Sequence, residues 1–359
     1  PPQEALVVVA KATFDLVPGG PATIRDEPAM VCGDVFADDE PEGALHYASD
    51  LALLKPAAEV LLFGHAYAPG GKSTAMQIRL RLGAGKDKVD HAIAVFGDRA
   101  WTRAVVSVAP TEPKPFDKLP IVWARAFGGP AFPQNPAGIG HRAQPGADGI
   151  ARLPNFEVPG RLIKSPDDVP EPACFGGLNP YWSPRARLLG TYDAAWVRER
   201  WPGYAADLDP KHFQAAPMMQ RLAKLDGDEP YELIGVHPKH PAIKGKLPGV
   251  RVRCFAQQTR SAGGKLVEIP LRMDTVVFRP DDDAVDLLWR GQTDVSDDEF
   301  RNTALAAIRS RPSLEEDLAG MLRSDDGPRA LRFMWLWMPD PPASLAEPAR
   351  DAIANLPAW

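Results

Sequence analysis

Residues Leu45–Lys72 read LHYASDLALLKPAAEVLLFGHAYAPGGK, a charged and punctuated loop set directly against the most apolar short run in the chain. Tyr47, Ser49, Asp50, Lys55 and Pro56 lead into Val60-Leu61-Leu62-Phe63, and the run closes on Gly64 and then on Ala68-Pro69-Gly70-Gly71, a strong turn signal. The stretch from Glu59 to Tyr67 is apolar on both parities. That pattern suits a central strand with both faces covered.

Strand patterns flank it on both sides. From Leu6 to Leu16 the even positions are apolar while Lys11, Thr13 and Asp15 alternate with them, the period of a half-buried strand. Pro18 to Pro21 turns the chain, and Ala22 to Arg25 returns as a hairpin partner. Downstream, Met76, Ile78, Leu80 and Leu82 alternate with Gln77, Arg79 and Arg81; Gly83 to Lys88 makes a turn; His91 to Phe96 returns; and a further strand runs from Trp101 toward Val108. A second β region begins at Tyr231. In it Val250 to Ala256 alternates, Leu266 to Val277 returns, and Val285, Leu287 and Trp289 complete a meander. Glu59 to His65 and Glu232 to His237 echo each other faintly, each placing an acid, an apolar run, a glycine and a histidine ahead of a strand pair.

Between these regions, from about Pro110 to Asp209, prolines and glycines recur and hydrophobic periodicity fades. The segment keeps Trp123, Phe127, Phe132, Phe156, Phe175, Tyr181 and Trp182, more aromatics than a disordered linker carries, so it reads as ordered loops laid over sheets. Thr191 to Arg200 reads as a short helix with Trp196 inward. Asp209-Pro210 has the form of an N-cap with proline at the first helical position, opening a helix toward Leu225. After the second β region, Ser296 with Glu299 and Ser313 with Glu316 form capping boxes ahead of short amphipathic helices. The first of these carries Phe300, Ala304, Ala307 and Ile308 at helical spacing. Leu331 to Met338 is the second most apolar run, and Ser344 to Leu356 reads as a last helix.

The expected fold is therefore mainly β: two antiparallel β-sandwich-like modules, residues 1–110 and 231–295, joined by an irregular ordered segment, 111–230, and followed by a helical segment, 296–359. The 39 prolines among 359 residues, about twice the usual share, spread along the chain and fit many short fixed connections. A composition of 45% hydrophobic and 25% charged residues is that of a globular protein, and no stretch has the apolar length of a membrane span. A net charge of -6 offers no basic footprint for nucleic acid. Cys32, Cys174 and Cys254 are far apart and odd in number, which argues against a disulfide framework or thiolate metal site and for a reducing compartment. The opening residues show no leader pattern, the apolar run from Leu6 being broken by Lys11.

Few residues suggest chemistry. No nucleophile elbow, phosphate loop, paired metalloprotease histidines or dinucleotide fingerprint is present. His237 and His240 read as loop histidines, since Pro238 keeps them off a regular helix face. Asp281-Asp282-Asp283 reads as a solvated acidic turn, lacking the spaced ligands of a calcium loop. Cys254, on the apolar parity of its strand, reads as a core thiol. Asp50 and Lys55 are expected to clamp their loop onto the adjacent strand, pairing with each other or with Arg99 or Arg125. Trp101, Trp123, Trp182, Trp335 and Trp337 read as packing residues.

A set of dispersed motifs carries a resemblance. Lys11-Ala-Thr-Phe-Asp15 with Pro18-Gly19-Gly20; Tyr47, Ser49-Asp50-Leu51 and Lys55-Pro56; Gly64 to Gly71; Phe96-Gly97-Asp98-Arg99 with Trp101; Arg125-Ala126-Phe127-Gly128-Gly129; Asn135-Pro136 with Gly138 and Gly140; Leu153-Pro154-Asn155; Gly190-Thr191-Tyr192-Asp193 with Trp196; Phe213 with Ala215-Ala216-Pro217; and Leu247-Pro248-Gly249 occur in order over residues 5 to 295. In these the sequence resembles the accessory adaptors of bacterial type VI secretion, a domain of unknown function encoded beside PAAR-tipped effectors and VgrG spike proteins. The resemblance implies a cytoplasmic adaptor or chaperone that binds a PAAR-containing effector and helps load it onto the VgrG spike, with no catalysis, cofactor, metal, nucleic acid or membrane. Tyr47, Asp50, Lys55, Asp98, Arg99, Trp101, Arg125, Phe127, Tyr192 and Asp193 are its candidate partner-binding or loop-pinning residues, and Trp123 to Trp182 with the Leu45–Lys72 loop is the expected partner surface. The competing readings are a glycan hydrolase working through Asp50, Asp98 or Asp193, and a carbohydrate-binding module presenting Trp182, Trp335 or Trp337.

Overall fold

The computed structural model describes residues 5–19, 22–25, 30–37, 40–103, 108–201, 203–258, 266–294 and 303–309. The fold is mainly β. One five-stranded sheet has the order Ala5–Asp15, Ala284–Asp294, Arg272–Arg279, Ala58–Leu62, Arg221–Leu222, and a second has the order Phe156–Glu157, Asp87–Phe96, Ala75–Ala84, Pro230–Ile234, Ala242–Lys246. A three-stranded sheet joins Leu266–Ile269, Val252–Gln258 and Thr303–Arg309. Each five-stranded sheet combines strands from both β regions: Leu233 sits opposite Leu80 and Val276 beside Val60.

The chain groups into two compact units, Pro1–Ala10 with Gly249–Arg272 and Trp289–Trp359, and Lys11–Pro248 with Met273–Leu288. The strands Ala5–Asp15 and Ala284–Asp294 each pass from one unit into the other. In the smaller unit Leu6, Val8, Cys254 and Ile269 form a buried cluster. Burial there pushes the Cys254 thiol up to about 12, so it packs as an apolar group.

The larger unit is built by simple rules. The Ala75–Ala84 and Asp87–Phe96 strands form a hairpin across Gly85-Lys86, and Gly85 takes the positive φ of 69° that such a tight turn requires. Ile78, Leu80 and Leu82 and, across from them, Val89, Ile93 and Val95 are buried, as period-two alternation dictates. The other face of this sheet carries a ladder in which Arg79 and Arg81 share Asp90, and Arg81 and Lys244 share Glu232. The two five-stranded sheets meet through Tyr231 on Phe278, with ring centroids 5.1 Å apart, and through Gln220, which donates to the Val60 carbonyl and hydrogen-bonds His91 Nδ1.

The parallel pair Arg272–Arg279 with Ala58–Leu62 is buried on both faces from Met273 to Phe278 and throughout Ala58–Leu62. This explains the run with no polar parity, since parallel strands sit inside a fold.

Four elements depart from the sequence expectation, each for a local reason. The expected Glu59 to Tyr67 strand splits into Ala58–Leu62 and His65–Tyr67 at Gly64, whose φ is 153°. It lies one place from its sheet's edge, while Arg272–Arg279 holds the centre. The Leu266 to Val277 run breaks at Pro270, which cannot donate to a ladder. Asp209 does cap the turn that follows it, accepting from the Lys211 amide, but Pro210–Phe213 is one 3-10 turn and Pro217 stops any helix toward Leu225. Thr303–Arg309, expected as helix, is a strand antiparallel to Val252–Gln258, where ladder pairing overrides an alanine-rich helical pattern. The expected helices beyond residue 309, and the Ser296–Glu299 capping box, lie outside the described residues. Among the described residues no helix is long and apolar enough to cross a membrane.

Candidate functional site

The Leu45–Lys72 loop is held by a chain of charges inside the larger unit. Asp50 is buried, and its Oδ2 accepts from Lys11 Nζ at 2.9 Å and from the Val31 amide at 2.8 Å. Lys11 also donates to the Tyr47 hydroxyl at 3.3 Å, and that hydroxyl donates on to Asp286 Oδ2 at 3.4 Å. Asp286 accepts from Thr13 Oγ1 at 2.6 Å and takes both arms of Arg279 at 3.0 Å. Burial, with the carboxylates of Asp50 and Asp286 nearby, pushes the Tyr47 hydroxyl far up, so it stays protonated. The Asp286 hydrogen bond likewise raises Arg279.

Lys55 belongs to a second buried cluster. Its Nζ lies 2.5 Å from Glu59 Oε1 and 2.7 Å from Thr275 Oγ1, which donates to Asp274. The other Glu59 oxygen accepts from the Ala216 amide at 3.0 Å. The observed partners of the two loop charges are thus Lys11 for Asp50 and Glu59 for Lys55.

Arg99 and Arg125 have other partners. Arg99 is buried against the Phe96 ring and donates to the Pro154 carbonyl and the Glu157 carboxylate. Arg125 donates to Asn155 Oδ1 at 2.8 Å, and Asn155 in turn donates to the Phe96 carbonyl and to Asp98. Trp101 is half-buried against a cluster of Phe127, Phe132, Leu153 and Ile163, and its ring nitrogen has no partner among the described residues. Phe127 lies inside that cluster, edge-on to Phe132. Tyr192 is exposed against Trp196, and Asp193 caps the helix Ala194–Glu199 by accepting from the Ala195 and Trp196 amides. Trp196 itself is only partly buried.

The turn at Pro280–Asp283 gathers more than its sequence foretold. Asp281 lies 2.6 Å from His65 Nδ1 and accepts from the Tyr67 hydroxyl, Asp282 accepts from Arg279, and Asp283 accepts from His237 Nε2 at 2.6 Å. His237 Nδ1 accepts from the Lys239 and His240 amides, which fixes the proton on Nε2. That bond from His237 pulls the Asp283 carboxyl below its usual range, while burial and Asp281 push Tyr67 up to about 12. All three aspartates are exposed, as an acidic turn in solvent would be, and each also has a protein partner; His65, Tyr67 and His237 come from distant sequence, which no spacing rule could have announced, while Arg279 lies three residues from Asp282. Among the described residues no group of three or more His, Cys, Asp or Glu is arranged to hold a metal.

Apart from the half-buried Trp196 and Phe213, the large apolar side chains of the irregular segment include a buried and an exposed set. Trp123, Phe127, Phe132, Phe156, Phe175 and Trp182 are buried. Tyr181, Tyr192, Trp201 and Tyr204 are exposed, together with Val197, Met218 and Met219.

These features define a mainly β protein whose interior is pinned by ion pairs and whose irregular segment exposes several large apolar side chains. The family model described as an uncharacterized protein conserved in bacteria (DUF2169) matches residues 2–290, and the chain belongs to that family. No curated protein and no solved structure matches the chain.

Proposed function

We propose that the protein is a non-catalytic cytoplasmic adaptor that binds a PAAR-containing type VI secretion effector and helps load it onto the VgrG spike. The observation that carries this reading is the exposed apolar set Tyr181, Tyr192, Val197, Trp201, Tyr204, Met218 and Met219 on the irregular segment and its short helical turns. Apolar side chains held outward at little ordering cost are what a protein-binding surface needs. The ordered motifs that resemble the type VI accessory adaptors support it as well. The carboxylates that a glycan hydrolase would use are otherwise engaged: Asp50 with Lys11, Asp98 with Asn155, and Asp193 as a helix cap. Trp182, which a carbohydrate-binding face would have to present, is buried and donates to the Glu42 carbonyl.

Co-expression with the product of the neighbouring effector gene tests the reading. A stable complex that co-elutes on size exclusion, and that is lost when the PAAR-bearing part of the effector is deleted, is the expected result. Failure to retain any PAAR-containing or VgrG protein would remove the adaptor function.

A further inference from the structure

We infer that Val252–Gln258 is a strand-acceptor edge, that this chain's own Thr303–Arg309 sits on it as an exchangeable cover, and that a partner protein engages it by replacing the cover with an extended, β-branched segment; that the partner is the effector rests on the adaptor reading above. All three strands of this sheet belong to the smaller unit, with Val252–Gln258 at the centre. On one flank Leu266–Ile269 pairs with it from Cys254 to Gln257, Ile269 and Cys254 are buried together, and Arg253 donates both arms to Glu268 at 2.9 Å. On the other flank Thr303–Arg309 pairs antiparallel along its whole length, from Arg309 opposite Val252 to Thr303 opposite Gln258.

Two observations separate the flanks. The family match ends at residue 290, so the acceptor strand and Leu266–Ile269 are family features, while Thr303–Arg309 is an addition beyond them. The added strand also has the wrong local preference. Leu266–Ile269 reads LVEI, largely strand formers, whereas Thr303–Arg309 reads TALAAIR, three alanines in seven, and falls within a pattern of helical spacing that follows the Ser296 and Glu299 capping box. Where local preference opposes the ladder that is formed, opening that element costs less. Covering an edge guards it against indiscriminate pairing. A cover of poor strand formers still yields to a segment that pairs better.

The same reasoning selects the occupant. A second copy of this chain would bring an identical strand, so the exchange would gain no pairing and would lose the freedom of two separate molecules. A partner segment rich in Val, Ile and Thr gains at each paired position and keeps the main-chain bonds, the way extended peptides are captured at sheet edges. It runs antiparallel over the seven acceptor positions and carries no proline among them.

The test uses the full chain and three labelled 11-residue peptides: one whose central seven positions alternate Val or Ile with Thr, the same peptide with proline at the middle position, and one whose central seven are TALAAIR. The first is expected to bind about tenfold more tightly than either of the others. Hydrogen exchange locates it: on binding, the amides of residues 303–309 should exchange about tenfold faster while those of 252–258 stay protected. Gln257→Cys with Ala304→Cys joins two facing positions; oxidised, this variant should lose peptide binding, and reduction should restore it. Ala304→Val with Ala306→Val, which needs no disulfide, strengthens the cover and should weaken peptide binding severalfold. Equal binding of the proline peptide, or unchanged exchange at 303–309 when the first peptide binds, overturns the proposal, as does disulfide-linked dimer in an equimolar mixture of the two single-cysteine variants, which would make a second copy the occupant. Effector capture separates the two ideas. If the oxidised double-cysteine variant and the double-valine variant retain the effector as well as the parent does, the edge is wrong and the adaptor reading stands; if the parent captures no effector while the peptide displaces 303–309, the adaptor reading falls and the edge remains.

Discussion

Lys55 and Glu59 form an ion pair at 2.5 Å with both side chains almost wholly buried, one at the end of the charged loop and the other inside the Ala58–Leu62 strand. Thr275, on the neighbouring parallel strand, also accepts from the ammonium group. The pair fixes where the loop enters the sheet, and the register that places Thr275 beside Glu59 puts all three groups in one place. Two desolvated charges hold each other without adding much net stability, but neither tolerates the loss of its partner.

Lys55→Met should therefore destabilise the protein by about 3–5 kcal/mol, because Glu59 is left charged and unpaired in the interior. Adding Glu59→Leu to Lys55→Met should recover most of that loss. Urea midpoints multiplied by the common m-value report both numbers. A single variant within about 1 kcal/mol of the parent would mean that the pair is hydrated.

Asp286 is the second node, receiving Thr13, Tyr47 and both arms of Arg279. Tyr47→Phe removes two long hydrogen bonds, the one accepted from Lys11 and the one donated to Asp286, and should cost about 1–2 kcal/mol. Asp286→Ala takes from the partly buried Arg279 its bidentate carboxylate, leaving it only Asp282, and should cost roughly 3 kcal/mol. In a double-mutant cycle with Arg279→Gln the losses should fall short of additivity by more than about 1 kcal/mol, since the two residues share one interaction. Additive losses would show that they act independently.

How far the sequence reaches is visible in these residues. Alternation located the Ala75–Ala84 and Asp87–Phe96 hairpin, because one face is buried and one carries charge, although pairing runs on through the expected Gly83 to Lys88 turn and the return strand begins at Asp87, before His91. The doubly apolar Ala58–Leu62 run announced a covered strand in the same way. It could not announce the partners: Lys11 lies 39 residues from Asp50, and Thr275 lies 220 from Lys55. Those distances are closed by strand order, in which Arg272–Arg279 inserts beside Ala58–Leu62, and no local pattern encodes such an insertion. Aromatic content marked the irregular segment as ordered but did not separate Trp123 and Trp182, which are core, from Trp201, which is surface.

Gly97, in the Phe96-Gly97-Asp98-Arg99 motif, has a steric reason to be glycine. A Cβ there would lie 1.7 Å from the Lys114 carbonyl oxygen, and the adjoining backbone is tied down by bonds from Gly97 to Thr74 and from Phe96 to Asn155. Gly97→Ala should cost about 3 kcal/mol or more, because backbone must move and not a flexible side-chain end. Gly85→Ala meets nothing within 4 Å and strains only its positive φ, so it should cost about 1 kcal/mol. Thermal unfolding of the two variants side by side checks the ranking; equal shifts in Tm would remove the steric explanation.

His91 gives the fold a pH dependence of predictable sign. It is buried edge-on to Phe175, 5.1 Å between ring centroids, and its Nδ1 donates to Gln220 Oε1, since the Gln220 amide nitrogen is already committed to two carbonyls. Burial lowers its pKa below the ordinary histidine value, only partly offset by that hydrogen bond. Below about pH 6.5 the unfolded chain takes up a proton that the folded chain refuses, so stability falls as pH drops from there toward the folded pKa. The slope is at most about 1.4 kcal/mol per pH unit for one such group. His212, also lowered chiefly by burial, adds in the same direction. His91→Gln keeps a donor for Gln220 but cannot titrate; it should be somewhat less stable than the parent at pH 8 and lose stability less steeply between pH 6.5 and 5. Urea midpoints for both proteins across that range decide it, and parallel curves would place the pH sensitivity elsewhere.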